Sequence, residues 1–340
     1  MLAALASAAV GPPALGAEVA VRPELITPEA EQAIQKGLAH LARTQARNGS
    51  WRAQGPMGVY PCAMTALAGL ALMAGGNTPS EGEYAENVRR AVYYTLSCAN
   101  RTGLITVMAE EERPMYGHGF SMLFLAQAYG AEQDVDLQRR IHDVLARAVA
   151  LTAKSQSGQG GWYYTPDANT DEGSVTVTQI QALRACRNAG IKVPKSTIAR
   201  ACEYIGKCAE SDGGISYSVQ ARGSRPPITA AAVAVLYNAG QYENPVALRA
   251  LEYTKKQIRS GGATAFGGHG FYGLLYASEA IFLTSAEEWR AFFPKARDDI
   301  LRRQNKDGSW PGDSVGETYG TALALVILQL PYQYLPILQR

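Results

Sequence analysis

From Thr27 onward the chain alternates two kinds of helix-period segment. One kind carries charge on one side of an apolar stripe, as in AEQAIQKGLAHLART, LRALEYTKKQIRS and PKARDDILRRQ. The other is apolar nearly all round, as in AMTALAGLALMA, ITAAAVAVLYNAG and TYGTALALVILQL. A helix with a charged face belongs on the outside of a fold, and one apolar on every side belongs inside it. A long Gly-rich turn separates the two members of each pair. The first pair shows the punctuation clearly. Thr27 is a good N-cap, Pro28 suits the first turn, and Glu29 favours the positive helix end. The second helix, from about Pro61 to Ala74, stops at Gly75-Gly76-Asn77, a C-cap signal.

Six such pairs follow one another in units of roughly 40–55 residues. The five later units begin near Glu86, Leu137, Ser196, Pro245 and Ala286. Twelve helices alternating outer and inner predict an all-α single domain, an α/α toroid of six helical hairpins over residues 27–340. Ring closure hides the apolar ends that an open solenoid must cap, and an open superhelix is the alternative.

A motif recurs at the end of the outer helices. Gln45-x-x-x-Gly49-x-Trp51, Gln156-x-x-x-Gly160-x-Trp162 and Gln304-x-x-x-Gly308-x-Trp310 use three of the four Trp residues. Gln257-x-x-x-Gly261-x-Ala263 reads as a decayed copy that kept the Gln and Gly. Gly allows a tight turn, Trp buries a large surface, and the Gln amide can bond an orphan backbone group at a helix end. The motif therefore reads as a staple between neighbouring units, not as chemistry. PMYGHGFSMLFL in unit two also resembles AFGGHGFYGLLY in unit five, which suggests a three-unit block used twice.

This repeated Gln-Gly-Trp pattern resembles the repeat of the squalene cyclase and protein prenyltransferase superfamily, over nearly all of the chain after residue 27. The resemblance implies the toroid and an isoprenoid-like ligand in the ring. The catalytic signatures of that superfamily are missing. No Asp-x-Asp-Asp acid is present; Asp298-Asp299 falls in a charged outer helix, and Asp134 and Asp136 fall at the far end of their unit. A prenyltransferase-type zinc site needs Asp, Cys and His. Cys62 and His118 stand in comparable places, but Tyr60 occupies the Asp position, so no metal or other cofactor is expected. The Cys-Gly-Glu-Gln of complement-like thioester domains is absent too.

If the fold is a toroid, all six turns lie at one end and the inner-helix N-termini surround a cavity mouth. Positive helix ends favour anions there. The candidate catalytic residues at that mouth are His118, Asp171, Glu172, His269, Asp313 and Glu317. The candidate ligand-binding residues are Tyr60, Cys62, Tyr116, Arg225, Tyr272 and Tyr319. His118 is expected beside Asp171 or Glu172, and His269 beside Asp313 or Glu317, since a His next to a carboxylate can work as acid or base near neutral pH. Two readings compete with an apolar ligand site: a non-catalytic scaffold for a protein partner, and a carbohydrate-active lyase or hydrolase using the mouth carboxylates.

Composition narrows the setting. The 340 residues carry a net charge of +2 and are 47 % hydrophobic, which gives no electrostatic case for nucleic acid. No later stretch is apolar for long enough to span a membrane. Residues 1–26 read as a leader, with Ala14-Leu15-Gly16-Ala17 resembling a signal-peptidase site. That points to a periplasmic or secreted protein, with a cytoplasmic one as the alternative. Five Cys residues fit no disulfide or zinc framework and read as free thiols.

Overall fold

The computed structural model describes residues 22–339, and most of the leader read from the sequence lies outside them. Within the described residues the regular structure is helical, with a few isolated β-bridges in the turns. The outer helices are α1 (Pro28–Thr44), α3 (Ala85–Ser97), α5 (Val135–Lys154), α7 (Lys195–Lys207), α9 (Pro245–Gly261) and α11 (Ala286–Arg302). The inner helices are α2 (Pro61–Ala74), α4 (Pro114–Ala131), α6 (Gly173–Asn188), α8 (Pro226–Asn238), α10 (Gly270–Thr284) and α12 (Glu317–Gln329). Each inner helix packs on the next, and α12 returns to α2, so the inner layer is a closed ring. The chain is an α/α toroid of six hairpins.

The hydrophobic pattern explains which helix goes where. Every residue of α2 is buried, whereas α1 buries only a stripe of Ala30, Ala33, Ile34, Gly37, Leu38, His40 and Leu41. The ring is sealed at the C-terminal ends of the inner helices. There Leu335, Ile337 and Leu338 of the chain's tail are buried, and Gln127 Oε1 accepts the Ile337 N–H at 3.3 Å.

The Gln-Gly-Trp motif is a junction between units. Gln45 Nε2 donates to the Gly49 carbonyl and to the Asn87 carbonyl of α3, both at 2.9 Å. Gln156 Nε2 does the same with Gly160 (2.8 Å) and Thr197 (2.9 Å). Gln304 Nε2 bonds Gly308 (3.0 Å) and Ala33 (2.9 Å), so the third copy ties the last unit to the first. The three glycines sit at φ 90, 107 and 93°. A Cβ on any of them would strike a carbonyl of the next outer helix, at Arg90, Arg200 and Lys36 respectively. The indole Nε1 atoms of Trp51, Trp162 and Trp310 donate to the carbonyls of Leu41, Thr152 and Ile300 at 2.8–3.0 Å.

Unit five departs from this pattern. Helix α9 continues through Gln257 to Gly261, and Gly262 at φ 55° has nothing within 4 Å of where a Cβ would be. A pocket of about 370 Å³ remains between α9 and α11, with Ile258, Leu274 and Phe292 among its walls.

A buried acid ties three inner helices together. Glu279 accepts hydrogen bonds from Gln181 Nε2 (3.0 and 3.1 Å) and Asn238 Nδ2 (2.6 Å). Burial pushes its carboxyl from the ordinary 4.5 up to about 7, against the pull of those two amides.

Two outcomes are expected. Trp162→Ala and Trp310→Ala should each cost about 3–5 kcal/mol in chemical denaturation, because each indole is fully buried. The folded protein holds the Glu279 proton more tightly than the unfolded chain, so this group lowers stability as pH rises from about 4.5 to 7. Glu279→Gln should therefore gain up to about 3 kcal/mol on the wild type between pH 5 and pH 8. Equal gaps at both pH values would refute that.

Candidate functional site

All six units contribute to one cavity of about 580 Å³ at the turn end of the ring. Its walls are mainly apolar and aromatic. Met64 and Leu67 of α2, Phe120 of α4 and Ile228 of α8 supply aliphatic and aromatic surface. Six tyrosines, 60, 116, 164, 217, 272 and 319, come one from each unit. This distribution follows from the repeat. Tyr60, Tyr116, Tyr272 and Tyr319 stand at inner-helix starts, and Tyr164 and Tyr217 reach the wall from the turns before α6 and α8.

The polar groups on the wall are few. Arg113 and Arg225 immediately precede the N-terminal turns of α4 and α8, and the Arg113 guanidinium lies over the Tyr164 ring at 4.3 Å from its centroid. His269 and Asp313 also line the cavity, and Asp313 is the one carboxylate among the described lining residues. Asp313 Oδ2 accepts the Phe271 N–H at 3.0 Å. Burial raises its pKa, while that N–H, Arg303 and His269 oppose the shift. Tyr116 and Ser174 share a 2.6 Å hydrogen bond between hydroxyls, and Tyr164 bonds Tyr217 hydroxyl to hydroxyl. The Tyr272 hydroxyl is buried without a hydrogen-bond partner. Burial drives the pKa values of Tyr116, Tyr272 and Tyr319 upward, so these phenols stay neutral donors.

The structure brings together Tyr60, Tyr116, Arg225, Tyr272, Tyr319, His269 and Asp313 on the cavity wall. It places the other candidates elsewhere. His118 is fully buried; its Nδ1 accepts the Ile105 N–H at 3.2 Å and its Nε2 meets Thr152 Oγ1 at 3.0 Å. In four other units the N–H at this point of the turn, on Trp51, Trp162, Ile215 or Trp310, is accepted by an inner-helix threonine: Thr65, Thr176, Thr229 or Thr321. His118 stands in for that threonine, and burial pushes its pKa down to about 4. Both ring nitrogens are engaged by the protein. Cys62 is buried beside Cys98 and Glu111, and Glu111 Oε1 accepts its backbone N–H at 2.8 Å.

The carboxylates of unit three bond the turn and the start of α6. Glu172 caps α6 by accepting the Ser174 and Val175 N–H groups, and stands behind Ser174 without facing the cavity. Asp171 Oδ2 accepts the Ser157 hydroxyl at 2.8 Å. Neither meets His118. Glu317 is exposed and points to His40 and Asp307, away from His269. Sequence reasoning missed Arg113, Tyr164 and Tyr217 on the wall. Arg113 precedes Pro114 as Arg225 precedes Pro226, a repetition that could have revealed it.

No protein-family model and no curated protein matches the chain. Solved structures do. A glycosidase variant in complex with glucose aligns with TM-score 0.62 at 13 % identity, over 92 % of this chain and 99 % of its own. The type II terpene cyclase MstE from Scytonema aligns with TM-score 0.59 at 18 % identity, over 91 % and 100 %. A GH76 α-mannanase from Bacteroides thetaiotaomicron aligns with TM-score 0.59 at 11 % identity, over 90 % and 96 %. At such identities the likeness establishes the helical ring and leaves the chemistry to the site.

The two histidines of the Gly-His-Gly repeats should respond differently to removal. His118→Ala orphans a buried N–H and is expected to cost about 1–3 kcal/mol on top of lost packing. His269→Ala, on the cavity wall, should leave thermal stability nearly unchanged. A melting comparison of the two variants checks this.

Proposed function

We propose that the protein binds an elongated, mostly apolar small molecule of the isoprenoid class in the ring cavity, with an anionic or polar head toward Arg113 and Arg225. The observation that carries this reading is the wall itself. It combines a continuous aromatic and aliphatic surface with two arginines and one carboxylate. Apolar walls with a few placed polar groups are the usual make-up of a small-molecule site. The Tyr272 hydroxyl, buried without a partner, is the donor such a ligand would use. The fold likeness to MstE is consistent with this, since variants of that cyclase are seen with geranylgeranyl dihydroxybenzoate, a prenyl chain on a benzoate head. The Gln-Gly-Trp repeat supports the same superfamily.

Asp313 is the acid of the site in this reading. Partial burial raises its pKa, and it is the carboxyl that stands on the wall where an apolar substrate would lie. His269 beside it is the group that would return that proton. The neutral tyrosines suit the same role as Phe or Trp in facing a developing cation.

The carbohydrate-active reading needs two carboxyl groups flanking the bond to be cleaved. Asp313 alone lines the cavity among the described residues, which favours the apolar ligand. A scaffold reading has no use for an open cavity of about 580 Å³.

The test is native mass spectrometry of the purified protein, with extraction of bound material and titration with geranylgeraniol and farnesoic acid. Uptake is expected, blocked by Leu67→Trp. Arg113→Ala with Arg225→Ala should weaken the acid by about tenfold or more and the alcohol far less. A protein that is empty and takes up neither compound sinks the proposal. If the isoprenoid is converted, Asp313→Asn should abolish conversion while retaining binding.

A further inference from the structure

The seam between the last unit and the first carries a cluster that the cavity does not use. His40 lies on α1, Asp307 in the turn after α11, and Glu317 at the start of α12. One ligand atom from each lies within 4.8 Å of the other two. The cluster is built, not a chance meeting of surface acids. His40 is 6 % exposed, and its Nδ1 is buried with no hydrogen-bond partner. That nitrogen faces Asp307 Oδ2 at 3.4 Å.

Asp307 is already anchored. Its Oδ1 accepts the Ser309 N–H (3.1 Å) and hydroxyl (2.8 Å), and Arg43 holds its backbone carbonyl at 3.1 Å. Oδ2 is thereby left directed at His40. The two carboxylates are exposed, so water can complete a coordination shell on the outer side.

The repeat shows that the imidazole is peculiar to this seam. At each stapled junction the motif Gln bonds a carbonyl of the next outer helix, at Asn87, Thr197 and Ala33. Seven residues further along that helix stand Tyr94, Tyr204 and His40. Two junctions carry a phenol there. The junction that closes the ring carries the side chain most suited to ligating a metal, facing two carboxylates.

We propose that His40 Nδ1, Asp307 Oδ2 and the Glu317 carboxylate bind one divalent transition-metal ion of the Zn²⁺ class, clasping unit six to unit one. One nitrogen and two carboxylate donors suit Zn²⁺ better than Mg²⁺, which prefers all-oxygen shells. Two bonds of about 2.0–2.2 Å span at most about 4.4 Å, so a small rotation of the exposed Glu317 side chain completes the shell. The site lies outside the central cavity and does not depend on what that cavity binds.

The test uses the full-length protein stripped with chelator and titrated calorimetrically with ZnCl₂, then with MgCl₂. One Zn²⁺ per chain at micromolar affinity or tighter is expected, with Mg²⁺ at least tenfold weaker and a melting temperature raised by several degrees at saturation. Glu317→Gln and Asp307→Asn are the variants to compare. Glu317 is exposed, and Asn keeps the oxygen that caps Ser309, so both should fold. Each is expected to weaken Zn²⁺ at least tenfold. Absence of stoichiometric binding below about 100 µM would overturn the proposal, as would affinity unchanged in both variants. Titration with Co²⁺ gives a separate readout, because a thiolate-to-metal absorption band would place the ion on the cysteines and overturn the assignment as well.

Discussion

The ring rests on a side-chain amide bridging two carbonyls. At three junctions a Gln at the end of one outer helix donates to its own turn and to the next outer helix. The turn Gly must take a positive φ and lie against that same helix, which no other residue can do without a clash. The Trp two positions on fills the space between the layers and satisfies a helix-end carbonyl with its indole N–H. These contacts fix the angle from one hairpin to the next. Closure at Gln304 to Ala33 is the same contact as the two internal ones.

Closure determines where chemistry can occur. The chain's tail blocks one end of the ring, so the turn end is the remaining entrance. The inner helices are too apolar to leave many polar groups inside. What polarity the cavity has comes from the turns and the helix starts, namely Arg113, Arg225, His269, Asp313 and the ring of tyrosines. The seam between units six and one is where the repeat departs from its own rule, with His40 in place of a tyrosine. The junction of units five and six departs in another way, by keeping a gap between α9 and α11.

Much of the fold was legible in the sequence. The 3.6-residue period, the contrast between charged and wholly apolar helices, and three copies of one spacing are local signals, and each survived intact into the structure. The end of the ring at which a cavity opens was legible too, because it follows from the repeat. Which side chains turn inward was not. His118 and His269 occupy matching Gly-His-Gly motifs, yet one accepts a turn N–H inside the wall and the other faces the cavity. Their neighbours decide this. His118 has Ile105 and Thr152 to bond, whereas His269 stands among the residues that line the cavity.

By itself, then, the sequence determined the six hairpins, their inner and outer layers, and the staple that joins them. Those features depend on periodicity and on backbone geometry within a few residues. Only the tertiary structure decided that Glu172 is a helix cap, that Glu317 turns toward His40, and that Asp313 is the carboxylate among the described residues of the cavity wall. A carboxylate near a helix start can cap that helix, pair across a seam or face a ligand with the same local sequence. The choice rests on contacts between units far apart in the chain, which no local pattern records.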